Sequence, residues 1–125
     1  MPERTVAIIG ASKDRRKFGN KAVRAYRHAG WTVYPVHPHE DEIEGMRVYH
    51  SVLDLPRPLD RISVYLPPDV GISLLEEIKS VNPAVVFLNP GAESPELLRR
   101  AAELGLDAIP DCSIVDIGAS PSDFP

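Results

Sequence analysis

The 125-residue chain is 43% apolar, enough for one compact domain with its own core and too short for two. Its 14 basic and 18 acidic residues, net charge -4, weigh against a sequence-independent nucleic-acid binder, which needs a broad positive face. A single cysteine rules out an internal disulfide, no apolar run approaches the ~18 residues of a membrane span, and the first residues lack the pattern of a signal peptide, so a soluble, cytoplasmic chain is expected.

In chain order, Thr5–Ile9 is a continuous apolar run of the kind a buried strand shows, and Gly10 permits a sharp turn out of it. Ala11 and Ser12 keep that turn small, and the next five residues, Lys13–Lys17, carry four positive charges and one negative. Asn20–Ala29 sets Ala22, Val23, Tyr26 and Ala29 at helical spacing, with Gly30 as a left-handed stop. Thr32–Val36 reads as the second strand. His37–Leu59 is the least regular segment, with a short helix expected around Ser51–Leu55. Arg61–Leu66 reads as the third strand, followed by a helix over Val70–Val81 that Asp69 would cap and Pro83 would end. Ala84–Leu88 is a fourth strand. Ser94–Pro95 opens a further helix that Gly105 closes, Leu106–Ile109 is a fifth strand, and Ala119–Pro125 is expected to be a loose tail.

Strands separated in this way cannot pair as hairpins, so right-handed crossovers and parallel pairing follow. The fold class is α/β: a single Rossmann-like, doubly wound domain over residues 1–125 with a mainly parallel five-stranded sheet, expected in the order 3-2-1-4-5. Ligands of such sheets sit beyond the carboxyl ends of the strands, here at a switch point between the first and fourth. The opening turn and its basic loop lie there, ahead of a helix whose free N–H groups attract anions, and a phosphate is the expected guest.

The dinucleotide fingerprint G-x-G-x-x-G is absent, since Ser12 occupies its second glycine position. No carboxylate ends the second strand, where Val36 is followed by His37 and Pro38, so NAD is disfavoured. The basic loop suits a nucleotide with an additional phosphate, for which NADP and coenzyme A both qualify. Pro67 and Pro68 form a stiff apolar edge after Leu66, suited to an adenine or a pantetheine arm. At Asn89–Pro90–Gly91 the glycine permits close approach, and the Asn89 amide is available to a ligand. His37 and His39 lack the further ligands a metal needs, Cys112 lacks an evident base, and Asp111 and Asp116 complete no catalytic constellation.

The successive motifs VAIIGAS, VYPVHP, SVYLPP, FLNPGAES and DAIPDCSIV span nearly the whole chain. Together they resemble the small bacterial CoA-binding proteins, a family similar to the CoA-binding domain of the succinyl-CoA synthetase α subunit. The resemblance implies a CoA or acyl-CoA binding module, free or with a protein partner or second copy, and without nucleic acid or membrane. Gly10, Ala11, Ser12 and the loop Lys13–Asn20, including Arg16, Lys17, Phe18 and Gly19, would receive phosphates. Val36, His37 and Pro38 would flank the nucleotide, with Leu66, Pro67, Pro68, Asn89, Pro90 and Gly91 forming the remaining walls. The family usually has Asn where this chain has His37, and the ligase domain of the synthetase subunit, with its phosphorylated histidine, is not expected here. The competing readings are an NADP-dependent oxidoreductase and an interaction domain that has lost its ligand.

Overall fold

The computed structural model describes residues 3–125. Strand β1 (Thr5–Ile9) leads through helix α1 (Phe18–His28) to β2 (Thr32–Val36). A two-stranded ribbon follows, β3 (Glu42–Ile43) and β4 (Met46–Arg47), then a 3-10 turn at Val52–Asp54 and β5 (Arg61–Val64). Helices α2 (Pro68–Ile72) and α3 (Leu75–Ser80) precede β6 (Val85–Leu88), and α4 (Pro95–Glu103), β7 (Ala108–Ile109) and α5 (Ser113–Asp116) complete the core. The first two strands match the sequence reading residue for residue, while the other three are shorter than expected.

All pairings in the main sheet are parallel, in the order β2-β1-β5-β6-β7. Counted over the five expected strands this is 2-1-3-4-5, which corrects the expected 3-2-1-4-5 and moves the switch point to the gap between β1 and β5. Pro35 supplies the reason. It has no N–H to donate, so β2 suits the edge of a sheet and not a place between two strands. Among the described residues, that outer side carries only a single bridge at Tyr49, whose N–H donates to the Pro35 carbonyl at 2.9 Å and whose carbonyl accepts from His37 N–H at 3.1 Å.

β1 is buried on both faces, as a central parallel strand must be. Val6 and Ile8 pack with Ala22, Val23 and Tyr26 of α1 and Ile114 of α5, while Ala7 and Ile9 pack with Leu75 and Ile78 of α3 and Leu97 of α4. The single helix expected over Val70–Val81 is two helices, starting earlier at Pro68. Ser73 Oγ donates to the Val70 carbonyl at 2.6 Å, and Leu74 N–H turns to Gly71 instead, which breaks the α-helical ladder between them. Ser94 caps α4 as expected, its Oγ accepting from Leu97 N–H at 3.1 Å.

Two features were not anticipated. The β3–β4 ribbon turns at Glu44 and Gly45, both with positive φ (51° and 77°), the conformation of a two-residue primed hairpin turn. The tail expected to be loose carries a capped 3-10 turn at Pro121–Asp123, and Arg24 of α1 donates to the carbonyls of Phe124 (3.0 Å) and Pro125 (3.2 Å).

The carboxyl ends of β5 and β6 are tied together by a buried polar network. Asn89 Nδ2 donates to Ser63 Oγ and the Val64 carbonyl, both at 2.9 Å, and its Oδ1 accepts from Ser113 N–H at 2.9 Å. Ser63 and Ser113 hydroxyls meet at 2.6 Å. Replacing Asn89 with Ala strands the buried Ser113 N–H without an acceptor. The expected loss is about 2–3 kcal/mol of folding stability, read as a lower urea midpoint with unchanged slope.

Candidate functional site

The turn after β1 is built from close backbone contact. Gly10 has φ +91°, and a Cβ there would stand 2.8 Å from the Tyr65 carbonyl oxygen. A Cβ on Gly19 would run into the Gly10 carbonyl oxygen itself. With no side chain at either position, the N-terminus of α1 lies directly on the exit of β1. Among the described residues, no acceptor pairs with the backbone N–H groups of Ala11, Ser12, Phe18 or Gly19, and all four residues line one cleft. No acidic residue occupies the first turn of this eleven-residue helix, so its positive pole is uncompensated there.

The basic loop is more neutral than its composition suggests. Lys13 pairs with Glu40 at 3.0 Å, Arg15 with Glu44 at 3.4 Å and Arg16 with Asp14 at 3.0 Å. Hydrogen bonds from the Arg16 side chain and backbone hold the Asp14 carboxyl down at about 2, and the Glu40 partner raises the Lys13 ammonium above its ordinary value. Lys17 is the one cation of the stretch with no acidic partner among the described residues, and it lines the cleft where Lys13 and Arg16 do not.

The cleft encloses about 920 Å³ between the ends of β1, β2, β5 and β6, large enough for an extended cofactor. It brings together Gly10, Ala11, Ser12, Lys17, Phe18, Gly19, Val36, His37, Pro38, Leu66, Pro67, Pro90 and Gly91. Five expected residues stand outside its lining. Lys13 and Arg16 are in the ion pairs just described, and Pro68 is the first residue of α2. Asn20 is fully buried: its Nδ2 donates to the Ser12 carbonyl (2.9 Å) and Glu44 (3.1 Å), and its Oδ1 accepts from Arg24 (2.7 Å). Asn89 is likewise engaged within the protein, so both amides brace the site instead of reaching into it. Sequence reasoning missed His50, Ser51 and Val52 after β4, then Tyr65, Val70 on α2, Leu74 between α2 and α3 and Glu77 on α3, together with Ile9 and Ala92. The irregular His37–Leu59 segment gave no periodic signal for the first three. The exposed Phe18 and Val70 at the mouth are apolar surface that a surface helix would not ordinarily leave in water.

A parallel sheet with a glycine turn and a helix N-terminus facing a cleft at its switch point defines a Rossmann-like domain for an anionic, cofactor-sized ligand. The chain belongs to the CoA binding domain family, whose model matches residues 4–118. It is 38% identical over 86 residues to an ADP-forming acetate–CoA ligase of Methanocaldococcus jannaschii, matching 67% of this chain and 12% of that protein. It is 31% identical over 121 residues to the α subunit of ADP-forming acetate–CoA ligase II of Pyrococcus furiosus, 87% of this chain and 26% of the subunit. The chain thus corresponds to a small part of these curated relatives, the CoA-binding part. Among solved structures, a conserved hypothetical protein from Pyrococcus furiosus superposes with a TM-score of 0.84 at 35% identity, over 90% of this chain and 98% of that one.

Tyr65 gives the cleft a pH signature. Burial pushes its phenol from the ordinary 10.0 up to about 12. A raised folded value stabilises the fold below pH 10, and this contribution disappears as pH climbs from 10 to 12. Thermal midpoints of Tyr65→Phe should therefore fall less steeply than wild type over that window, and absorbance titration should show one fewer late-ionising tyrosine.

Proposed function

We propose that the chain binds CoA or an acyl-CoA in this cleft, with the pyrophosphate on the N–H groups of Ala11, Ser12, Phe18 and Gly19. The observation that carries the reading is the convergence of those unpaired donors on one wall beside Lys17. The residues present fit the group: the backbone cradle closes if either glycine gains a Cβ, and an N–H donor set suits phosphate oxygens. Leu66, Pro67, Pro90 and Gly91 offer an apolar channel for the pantetheine arm. No described helix is long and apolar enough to cross a membrane. Because CoA is an intracellular cofactor, the reading carries a cytoplasmic location with it.

The likeness to acetate–CoA ligases supports a place in acyl-CoA metabolism, as a carrier, a sensor or the CoA-holding part of an assembly. Acyl transfer in such an assembly would draw on residues beyond those matched here.

Calorimetry with CoA tests it, alongside native mass spectrometry of the purified protein for a co-purified ligand. One CoA should bind per chain. Lys17→Ala should weaken binding by about tenfold (~1.4 kcal/mol) and flatten its salt dependence, because it removes the unpaired charge at the cleft. Arg16→Ala should change affinity by under about threefold, since its guanidinium already serves Asp14. Failure of CoA to bind at millimolar concentration overturns the proposal.

A further inference from the structure

We propose that the segment Ala119–Pro125 is a strap that holds the loop before α1 in its ligand-receiving shape, acting through Arg24 as a positioning residue. This rests on reading the cleft as a nucleotide-cofactor site. The strap lies beyond residues 4–118, the part of the chain that the family match accounts for. Its own structure is local. Ser120 Oγ accepts from Ser122 N–H at 3.4 Å and Asp123 Oδ2 accepts from Ser120 N–H at 3.1 Å, which closes the 3-10 turn Pro121–Asp123. Phe124 then packs against α1, its ring centre 6.0 Å from that of His28 and 5.9 Å from the Arg24 guanidinium carbon.

Arg24 joins the strap to the loop. Its Nη1 donates to the Pro125 carbonyl at 3.2 Å and its Nη2 to the Phe124 carbonyl at 3.0 Å. The same Nη2 donates to the Arg15 carbonyl at 2.9 Å, and Nε donates to Asn20 Oδ1 at 2.7 Å. Asn20 in turn donates to the Ser12 carbonyl at 2.9 Å. One guanidinium therefore spans the strap, the middle of the loop and the amide that braces Ser12. The group is planar and its N–H directions are fixed, so a fork turned toward the strap carbonyls sets where the Arg15 carbonyl can lie. The exposed ion pairs of the loop hold long side chains and restrain its backbone little. Docking of the strap and order in the loop are thus coupled, and whatever favours one favours the other by the same factor.

Phe124→Ala and Asp123→Ala release the strap in two ways, the first at its packing on α1 and the second at its own cap. Arg24→Lys keeps the positive charge but lacks the fork that reaches Arg15 and the strap together. The Lys17, Asn20 and Lys21 amides, which donate to the Asp14 and Lys17 carbonyls, report order at the end of the loop. In the ligand-free full chain, their hydrogen exchange followed by NMR should quicken about threefold or more in all three variants, while the β1 amides keep wild-type rates. Calorimetry should show CoA affinity lowered about fivefold in each, and Phe124→Leu, which restores apolar packing, should stay within about twofold of wild type. Loop exchange that is unchanged, or that rises only in step with β1, overturns the strap, whether or not CoA affinity falls. Faster loop exchange with unchanged CoA affinity overturns its service to the site. Faster loop exchange in a protein that does not bind CoA at millimolar concentration overturns the CoA reading and keeps the coupling. Unchanged exchange without CoA binding overturns both.

Discussion

The cleft depends on how closely the chain passes itself at Gly10 and Gly19. The missing side chain of Gly10 faces the Tyr65 backbone and that of Gly19 faces the Gly10 carbonyl, so the exit of β1, the exit of β5 and the start of α1 stack backbone on backbone. A β-carbon at either position would act as a wedge between elements that also form the floor of the site. That contact sets the N-terminus of an eleven-residue helix at the point where the crossovers from β1 and β5 leave on opposite faces of the sheet. The gap left there by the connectivity and the field of the helix therefore coincide. Bracing comes from behind: Asn20 ties the loop to α1 and the ribbon, and Asn89 ties β5 and β6 to α5.

Charge is distributed differently from what the linear sequence suggests. The -4 chain concentrates cations in Lys13–Lys17, yet the turn and ribbon after β2 bring Glu40 and Glu44 against them. Such exposed pairs each contribute little and are screened by salt. Their effect is to fix the loop's course and to lower its net field, which leaves the oriented N–H groups and Lys17 as the positive groups of the cleft without a described partner. Backbone donors do not move when a ligand arrives, whereas long cationic side chains must be ordered. A site that relies on the former loses less entropy on binding.

Most of the fold was legible because its signals are local and strong: a fully buried run for β1 and a largely buried one for β6, Gly30 after α1, and Ser94–Pro95 before α4. Strand order is not local, and the expected order failed, although Pro35 held the evidence that β2 is an edge. The short β3–β4 ribbon and the site residues His50 to Val52 were illegible, since two-residue strands have no period to detect. Gly10 to Ser12 and Phe18 to Gly19 line the cleft, a placement to which residue type and context pointed. Asn20 and Asn89 turn inward and Lys13 pairs with the sequence-distant Glu40, arrangements that no local pattern announces.

His37 shows why the direction of a hydrogen bond carries more information here than the identity of the residue. The turn after β2 needs an acceptor for the N–H groups of His39 and Glu40, and His37 Nδ1 meets that need. A neutral ring that accepts on Nδ1 carries its proton on Nε2, so the backbone of the turn fixes the tautomer of a residue that lines the cleft.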